Sequence, residues 1–177
     1  DQPATSLPAR PDADGLAVQV DGAAGSEAPG EIGQLLDTQL SELADGPYNV
    51  TDLDEVLELR QNEDKFRAFI DYGQSVFSRL ETAPLPVVVA VQGLCLAGGI
   101  ELMLSCDVAF AAESAQFGDQ HAEYGLLPGW GGSQRLPRIL GLRRALDLFY
   151  SHKWIAAEEA LGWGLVNYVV PDDTLHD

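Results

Sequence analysis

A chain of 177 residues is long enough for one domain with a buried core, and 46 % apolar with 21 % charged residues suits a globular fold. Its 28 acidic against 10 basic residues give a formal charge of −18, a surface that repels nucleic acid and anionic membranes, so neither is expected as a partner. No run approaches the ~20 apolar residues of a membrane span and no signal-peptide pattern opens the chain, so a cytoplasmic location is the expectation.

Residues 1–46 are weakly patterned and read as an atypical N-terminal segment, punctuated by Pro3, Pro8, Pro11 and Pro29 and by several glycines. Within them Leu16–Val20 is a strand candidate, and Gln34–Ala44 is a helix candidate with Leu35, Leu36, Leu40 and Leu43 on one side. Thr51 or Asp52 can cap a helix whose first turn carries Asp54 and Glu55. The clearest helix spans about Asp64 to Glu81, where Phe66, Phe69, Ile70, Gly73, Val76, Phe77 and Leu80 recur at three-and-four spacing.

Ala83-Pro84-Leu85-Pro86 stops that helix and extends the chain. Val87–Val91 is a continuous apolar run, as in a strand buried on both faces. A helix from Gly98 to Ser105, a strand over Val108–Ala112, and helices over Ser133–Leu140 and Leu142–Ser151 broken near Gly141 come next. A short helix from Ala156 or Ala157 to Leu161 and a strand over Leu165–Val170 complete the pattern. Strands alternating with helices make this an α/β chain with mostly parallel pairing. Cys95 and Cys106, in a strand-then-helix segment without metal-ligand spacing, read as free buried thiols.

Chemistry concentrates in Ala97-Gly98-Gly99-Ile100-Glu101. A helix start leaves backbone N–H groups unpaired, and glycine lets a ligand oxygen approach them. A thioester carbonyl against the Gly98 N–H would be stabilised as it becomes enolate-like, by ~3–4 kcal/mol for a well-placed donor. Glu101, one turn on, is within reach of the same substrate for proton transfer. The competing reading is structural: the glycines permit close packing and Glu101 complements the helix dipole.

These segments resemble the crotonase (enoyl-CoA hydratase/isomerase) superfamily. The resemblance is carried by Pro86-Val-Val-Val-Ala-Val-Gln-Gly93, Gly98-Gly99-Ile-Glu101-Leu, Ser105-Cys-Asp107 and Ala115-Gln-Phe117-Gly118. It continues through Gly125-Leu-Leu-Pro-Gly129, Gly131-Gly-Ser-Gln134-Arg-Leu-Pro and Ala157-Glu-Glu-Ala-Leu-Gly-Trp-Gly164-Leu-Val-Asn167, and covers about residues 65–172. It implies an α/β crotonase-like ββα spiral core over residues 47–177, assembled as a homotrimer or a dimer of trimers. It also implies an acyl-CoA substrate with coenzyme A as part of it, and no other cofactor. It places one oxyanion donor on Gly98 and the first catalytic glutamate on Glu101, with Leu96, Ala97, Gly129 and Trp130 around the substrate pocket.

The sequence departs from the family in three places. The second glutamate falls, by spacing from Phe117-Gly118, on His121. His121 either replaces it as an acid/base group, since imidazole titrates near pH ~6.5, or is a structural histidine bonded to a loop carbonyl. Glu123, two residues on, reads as a solvated loop charge. The loop expected to supply the other oxyanion donor has no counterpart in Leu36-Asp-Thr-Gln39, although Leu40-Ser-Glu-Leu-Ala-Asp45 resembles the family segment just after that loop. The chain ends at Asp177, before the family's C-terminal helices, so a truncated core is expected.

Trp130 lines an acyl pocket or simply packs. Arg135 and Arg138 meet coenzyme A phosphates or pair with nearby acids. Ser133 suits a helix N-cap. His152 and His176 lack partners at metal-ligand spacing. Three readings stay open: an enoyl-CoA hydratase/isomerase, a one-carboxylate relative that isomerises, decarboxylates or hydrolyses an acyl-CoA, and a non-catalytic crotonase-like subunit.

Overall fold

The computed structural model describes residues 53–84 and 86–175. The expected strand at Leu16–Val20, the helix at Gln34–Ala44, the caps Thr51 and Asp52, His176 and the boundary near residue 46 lie outside the described residues.

Helix α1 (Leu53–Leu59) leads through Asn62 into α2 (Glu63–Glu81). Asn62 caps α2 by accepting from the Lys65 N–H at 3.0 Å, and Glu63 and Asp64 complement the dipole of its first turn. Strands β1 (Val88–Val91) and β2 (Leu94–Leu96) precede α3 (Gly98–Met103), and β3 (Val108–Ala112) and β4 (Gln116–Gly118) follow it. A 3₁₀ turn (His121–Tyr124), α4 (Gly132–Leu140), α5 (Leu142–Ser151), β5 (Ile155–Ala156), α6 (Ala157–Trp163) and β6 (Tyr168–Val170) come next. A second 3₁₀ turn, Asp172–Thr174, follows β6.

Two three-stranded sheets result. In the first, β3 lies between β1 and β6 and all pairs are parallel. In the second, β4 lies between β2, parallel to it, and β5, antiparallel to it. A ββα unit therefore occurs twice, as β1–β2–α3 and β3–β4–α4, each placing its first strand in one sheet and its second in the other.

Most of the buried apolar residues among those described form one core, in which Val89, Val91, Cys95, Ile100, Phe117, Leu136, Leu148 and Ile155 are buried together. A second core joins α2 to α3 through Phe69, Val76, Phe77, Leu80, Val87, Leu102 and Trp130. Ala90 faces a third, small cluster, so β1 is covered on both sides as its unbroken apolar run implies. Cys95 is buried, Cys106 is half-buried, and both are free thiols; burial pushes the Cys106 thiol up to about 12.

Several boundaries differ from the sequence reading. Helix α3 ends at Met103 rather than Ser105, where the Ser105 hydroxyl donates to the Glu101 carbonyl at 2.9 Å. The last strand begins at Tyr168 rather than Leu165, because Leu165 and Val166 turn inward after Gly164 to fill the main core. Helix α6 runs past Leu161 to Trp163. Ser133 is not the cap of α4: that position belongs to Gly131, with φ at 111°, and Ser133 lies inside the first turn.

Candidate functional site

The second sheet sets the site. Leu96 pairs with Gly118 at the end of the parallel β2–β4 ladder, and the Ala97 N–H donates to the Gly118 carbonyl at 3.2 Å. The chains leaving both strands therefore emerge side by side, one as Ala97-Gly98 and the other as Asp119-Gln120-His121. Ala97 takes φ 47° and ψ −114°, a conformation that costs an alanine about 1–3 kcal/mol. This turn swings the chain into α3 and leaves the Gly98 N–H without a partner among the described residues.

Glu101 is only 1 % exposed. Its Oε1 accepts from the Trp130 and Gly132 N–H groups, each at 2.8 Å. The carboxylate of α3 thus caps α4 from across the site, the task that sequence position suggests for Ser133. Position 132 is tight: a Cβ there would lie 3.0 Å from Glu101 Oε1, so a side chain would press on the carboxylate. With Oε1 held by two amides, Oε2 is left to face His121 Nε2 at 3.5 Å.

On its other side His121 meets Asp119, whose Oδ2 lies 3.0 Å from Nδ1 and whose Oδ1 accepts the His121 backbone N–H at 3.2 Å. Asp119 is 1 % exposed and the His121 side chain 12 % exposed. Burial by itself lowers the imidazole pKa, but the hydrogen bonds to Asp119 and Glu101, with their charges, outweigh it and push it up to about 9. At neutral pH His121 is therefore a cation between two acids. Of its two sequence readings, the structure contradicts the bond to a loop carbonyl: both ring nitrogens face carboxylates.

These groups open into an apolar cavity of about 120 Å³ lined by Phe66, Phe69 and Ile70 of α2, by Ala97, Gly98, Glu101 and His121, and by Leu126, Leu127, Gly129 and Trp130. Val56 of α1 completes it. Leu96, placed at the pocket from sequence, is not among the lining residues; it alternates along β2 with the core-facing Cys95. Trp130 combines two contacts. It lines the cavity and packs on Phe69 and Phe77 at ring-centroid distances of 4.7 and 5.4 Å. Its ring lies so close to Gly73 that a Cβ there would come within 2.2 Å.

Arg135 pairs with an acid: Nη2 lies 2.8 Å from Glu81 Oε2, and Nη1 donates to the Trp130 carbonyl at 2.9 Å. Arg138 donates to the Gln134 carbonyl, and Glu123 is exposed. The backbone carbonyl of His152 accepts from Gln120 at 3.0 Å. Among the described residues no group of His, Cys, Asp and Glu is arranged to hold a metal ion, and no helix is long and apolar enough to cross a membrane. Sequence reasoning misses Asp119 and the part α2 plays in the cavity wall. The Asp-x-His spacing is the available signal for the first; nothing separates a cavity-lining Phe69 from a core one.

The arrangement offers an N–H donor to an oxygen inside an apolar cavity, beside a carboxylate and an imidazolium that can exchange a proton. Residues 51–177 match the family model described as Enoyl-CoA hydratase/isomerase. A short-chain-enoyl-CoA hydratase of Clostridium acetobutylicum is 42 % identical over 124 residues, covering 70 % of this chain and 47 % of its own length. A fatty acid oxidation complex subunit alpha of Shewanella frigidimarina is 42 % identical over 117 residues, 65 % of this chain and 16 % of its own. The crystal structure of an enoyl-CoA hydratase from Bacillus anthracis superposes with a TM-score of 0.62 at 42 % identity, covering 64 % of this chain and 44 % of that one. The chain spans about half the length of such hydratases and under a fifth of the oxidation-complex subunits.

Proposed function

The chain belongs to the enoyl-CoA hydratase/isomerase family, and from that premise we propose that it acts on an acyl-CoA thioester, adding water to a 2-enoyl group. The observation that carries this reading is the placing of Glu101 Oε2 and His121 Nε2 3.5 Å apart, in the same apolar cavity as the Gly98 N–H, which has no partner among the described residues. The thioester oxygen lies against Gly98, where one donor stabilises the enolate-like charge by ~3–4 kcal/mol.

Glu101 Oε2 takes a proton from water as its oxygen bonds to C3, and His121 Nε2 delivers a proton to C2. The proton on Glu101 then crosses to His121, and both groups regain their starting states. Phe69, Ile70, Leu126 and Trp130 hold the acyl chain and exclude bulk water. Coenzyme A takes part only as a portion of the substrate, and the assembly is a homotrimer or hexamer.

Glu101→Gln tests this well, since the amide oxygen keeps the bonds from Trp130 and Gly132. Hydration of crotonyl-CoA should fall ~10²-fold or more with the melting temperature preserved. Unchanged hydration overturns the reading. A histidine where a second glutamate was expected favours a second reading, a one-carboxylate relative. Product analysis separates the two, because a 3-hydroxyacyl product marks a hydratase and a displaced double bond an isomerase.

A further inference from the structure

We propose that Asp119 is a positioning residue for this site: its buried carboxylate holds the His121 proton on Nδ1, leaving Nε2 as the single nitrogen that exchanges a proton in the cavity. The inference rests on the proposed reading only for where the Nε2 proton goes. Three observations converge on it. Asp119 Oδ2 lies 3.0 Å from Nδ1. Its Oδ1 accepts the backbone N–H of the same histidine at 3.2 Å, so one carboxylate fixes both ring and main chain. The opposite ring nitrogen faces Glu101 Oε2 and the cavity.

A carboxylate can only accept, and Asp119 lies at hydrogen-bond distance from Nδ1, 3.0 Å, while Glu101 stands off Nε2 at 3.5 Å, so when the ring is neutral its one hydrogen stays on Nδ1. Asp119 is itself held where β4 ends. Gly118 packs so closely against the Lys153 carbonyl and the Trp154 ring that a Cβ would come within 3.0 Å of both. Gln120 donates to the carbonyls of Asp119 and His152 at 3.3 and 3.0 Å. Among the described residues the charged groups facing His121 are Asp119 and Glu101, and the other residues lining the cavity are apolar.

Asp119→Asn keeps the shape but can turn an amide donor toward Nδ1, which favours the opposite tautomer. Imidazole ¹⁵N–¹H spectra read this directly, since the chain has only 3 histidines to assign. The His121 titration midpoint should fall from about 9 to the ordinary ~6.5 or below. Crotonyl-CoA hydration should lose ~10²-fold in kcat with KM little changed.

A midpoint and proton position unmoved in a folded Asp119→Asn variant would overturn the inference while leaving the role of Glu101 standing. Full activity in Glu101→Gln would do the reverse, because the spectra need no substrate. Should Asp119→Asn fail to fold, the wild-type spectrum above the midpoint decides. A neutral His121 with its proton on Nδ1 supports the assignment, and one with its proton on Nε2 overturns it.

Discussion

The sheet of β1, β3 and β6 and the sheet of β2, β4 and β5 share the two repeated ββα units, each of which gives one strand to either sheet, yet they differ in what lies at their strand ends. In the first, the polar groups at the ends serve the sheet itself. The Asp107 carboxylate accepts the Val87 N–H at 2.8 Å and the Asn167 side chain accepts the Ala109 N–H at 2.8 Å. Each residue sits one position before its strand and satisfies a backbone donor on the neighbouring strand (Ala109) or just before it (Val87). In the second, the strands are short and their ends bring Gly98 and His121 to a cavity, with Asp119 buried behind the histidine. Parallel register is the common cause: it brings successive strand ends to one edge, where side chains can complete the ladder or build a site.

If the second sheet carries the chemistry, its stability should depend on the charge of His121. The sign comes from the raised pKa: the contribution is fully present below the ordinary value near ~6.5 and is lost as pH rises through about 9. The loss amounts to about 3 kcal/mol at its limit. Urea midpoints measured across this window for the wild type and for His121→Gln isolate it, since groups remote from His121 are the same in both. Parallel curves for the two proteins would break the comparison.

The two sheets also differ in how much of them is legible in the sequence. Val87–Val91 and Val108–Ala112 announce themselves as unbroken apolar runs, because strands covered on both faces need nothing else. Leu94–Leu96, Gln116–Gly118 and Ile155–Ala156 are three, three and two residues long, too short to show a period of two. Gly98 and Glu101 are legible from a glycine pair followed by an acid, and the place of His121 from its spacing to Phe117-Gly118. Asp119 is not, because an acid in a turn normally reads as a solvated charge. The Lys153–Trp154 segment packs on the adjacent Gly118, a contact between distant parts of the chain that no local pattern encodes. The capping of α4 is hidden for the same reason: Glu101, 31 positions away, supplies the acceptor that Ser133 was expected to provide.

The first sheet should respond in the opposite way, in stability and not in chemistry. Val91 is fully buried and pairs with Ala111 in the main core. Val91→Ala removes two methyl groups at ~0.8 kcal/mol each and leaves a small cavity, for a loss of about 2 kcal/mol. The denaturation midpoint should drop accordingly, while turnover per folded molecule and the His121 titration stay where they were. A shift in that titration would mean the two sheets are mechanically coupled.

The smallest effect isolates the strand-end device. Asn167 grips Ala109 from both sides, accepting its N–H through the side chain and donating its own N–H to the Ala109 carbonyl at 2.9 Å. Asn167→Ala removes the first bond and keeps the second. Ala109 is buried but the Asn167 side chain over it is exposed, so truncating that side chain opens the freed N–H to water, and the loss should be about 1 kcal/mol rather than the larger cost of a sealed, unpaired donor. Asn167→Asp should recover most of it, since Asp107 already does the same work for Val87 with a carboxylate. Thermal melts of the two variants check this at about 2–4 °C of resolution per kcal/mol. Recovery by Asp but not Ala would identify the acceptor oxygen as the stabilising element; equal losses would assign the effect to the shape of the turn before β6.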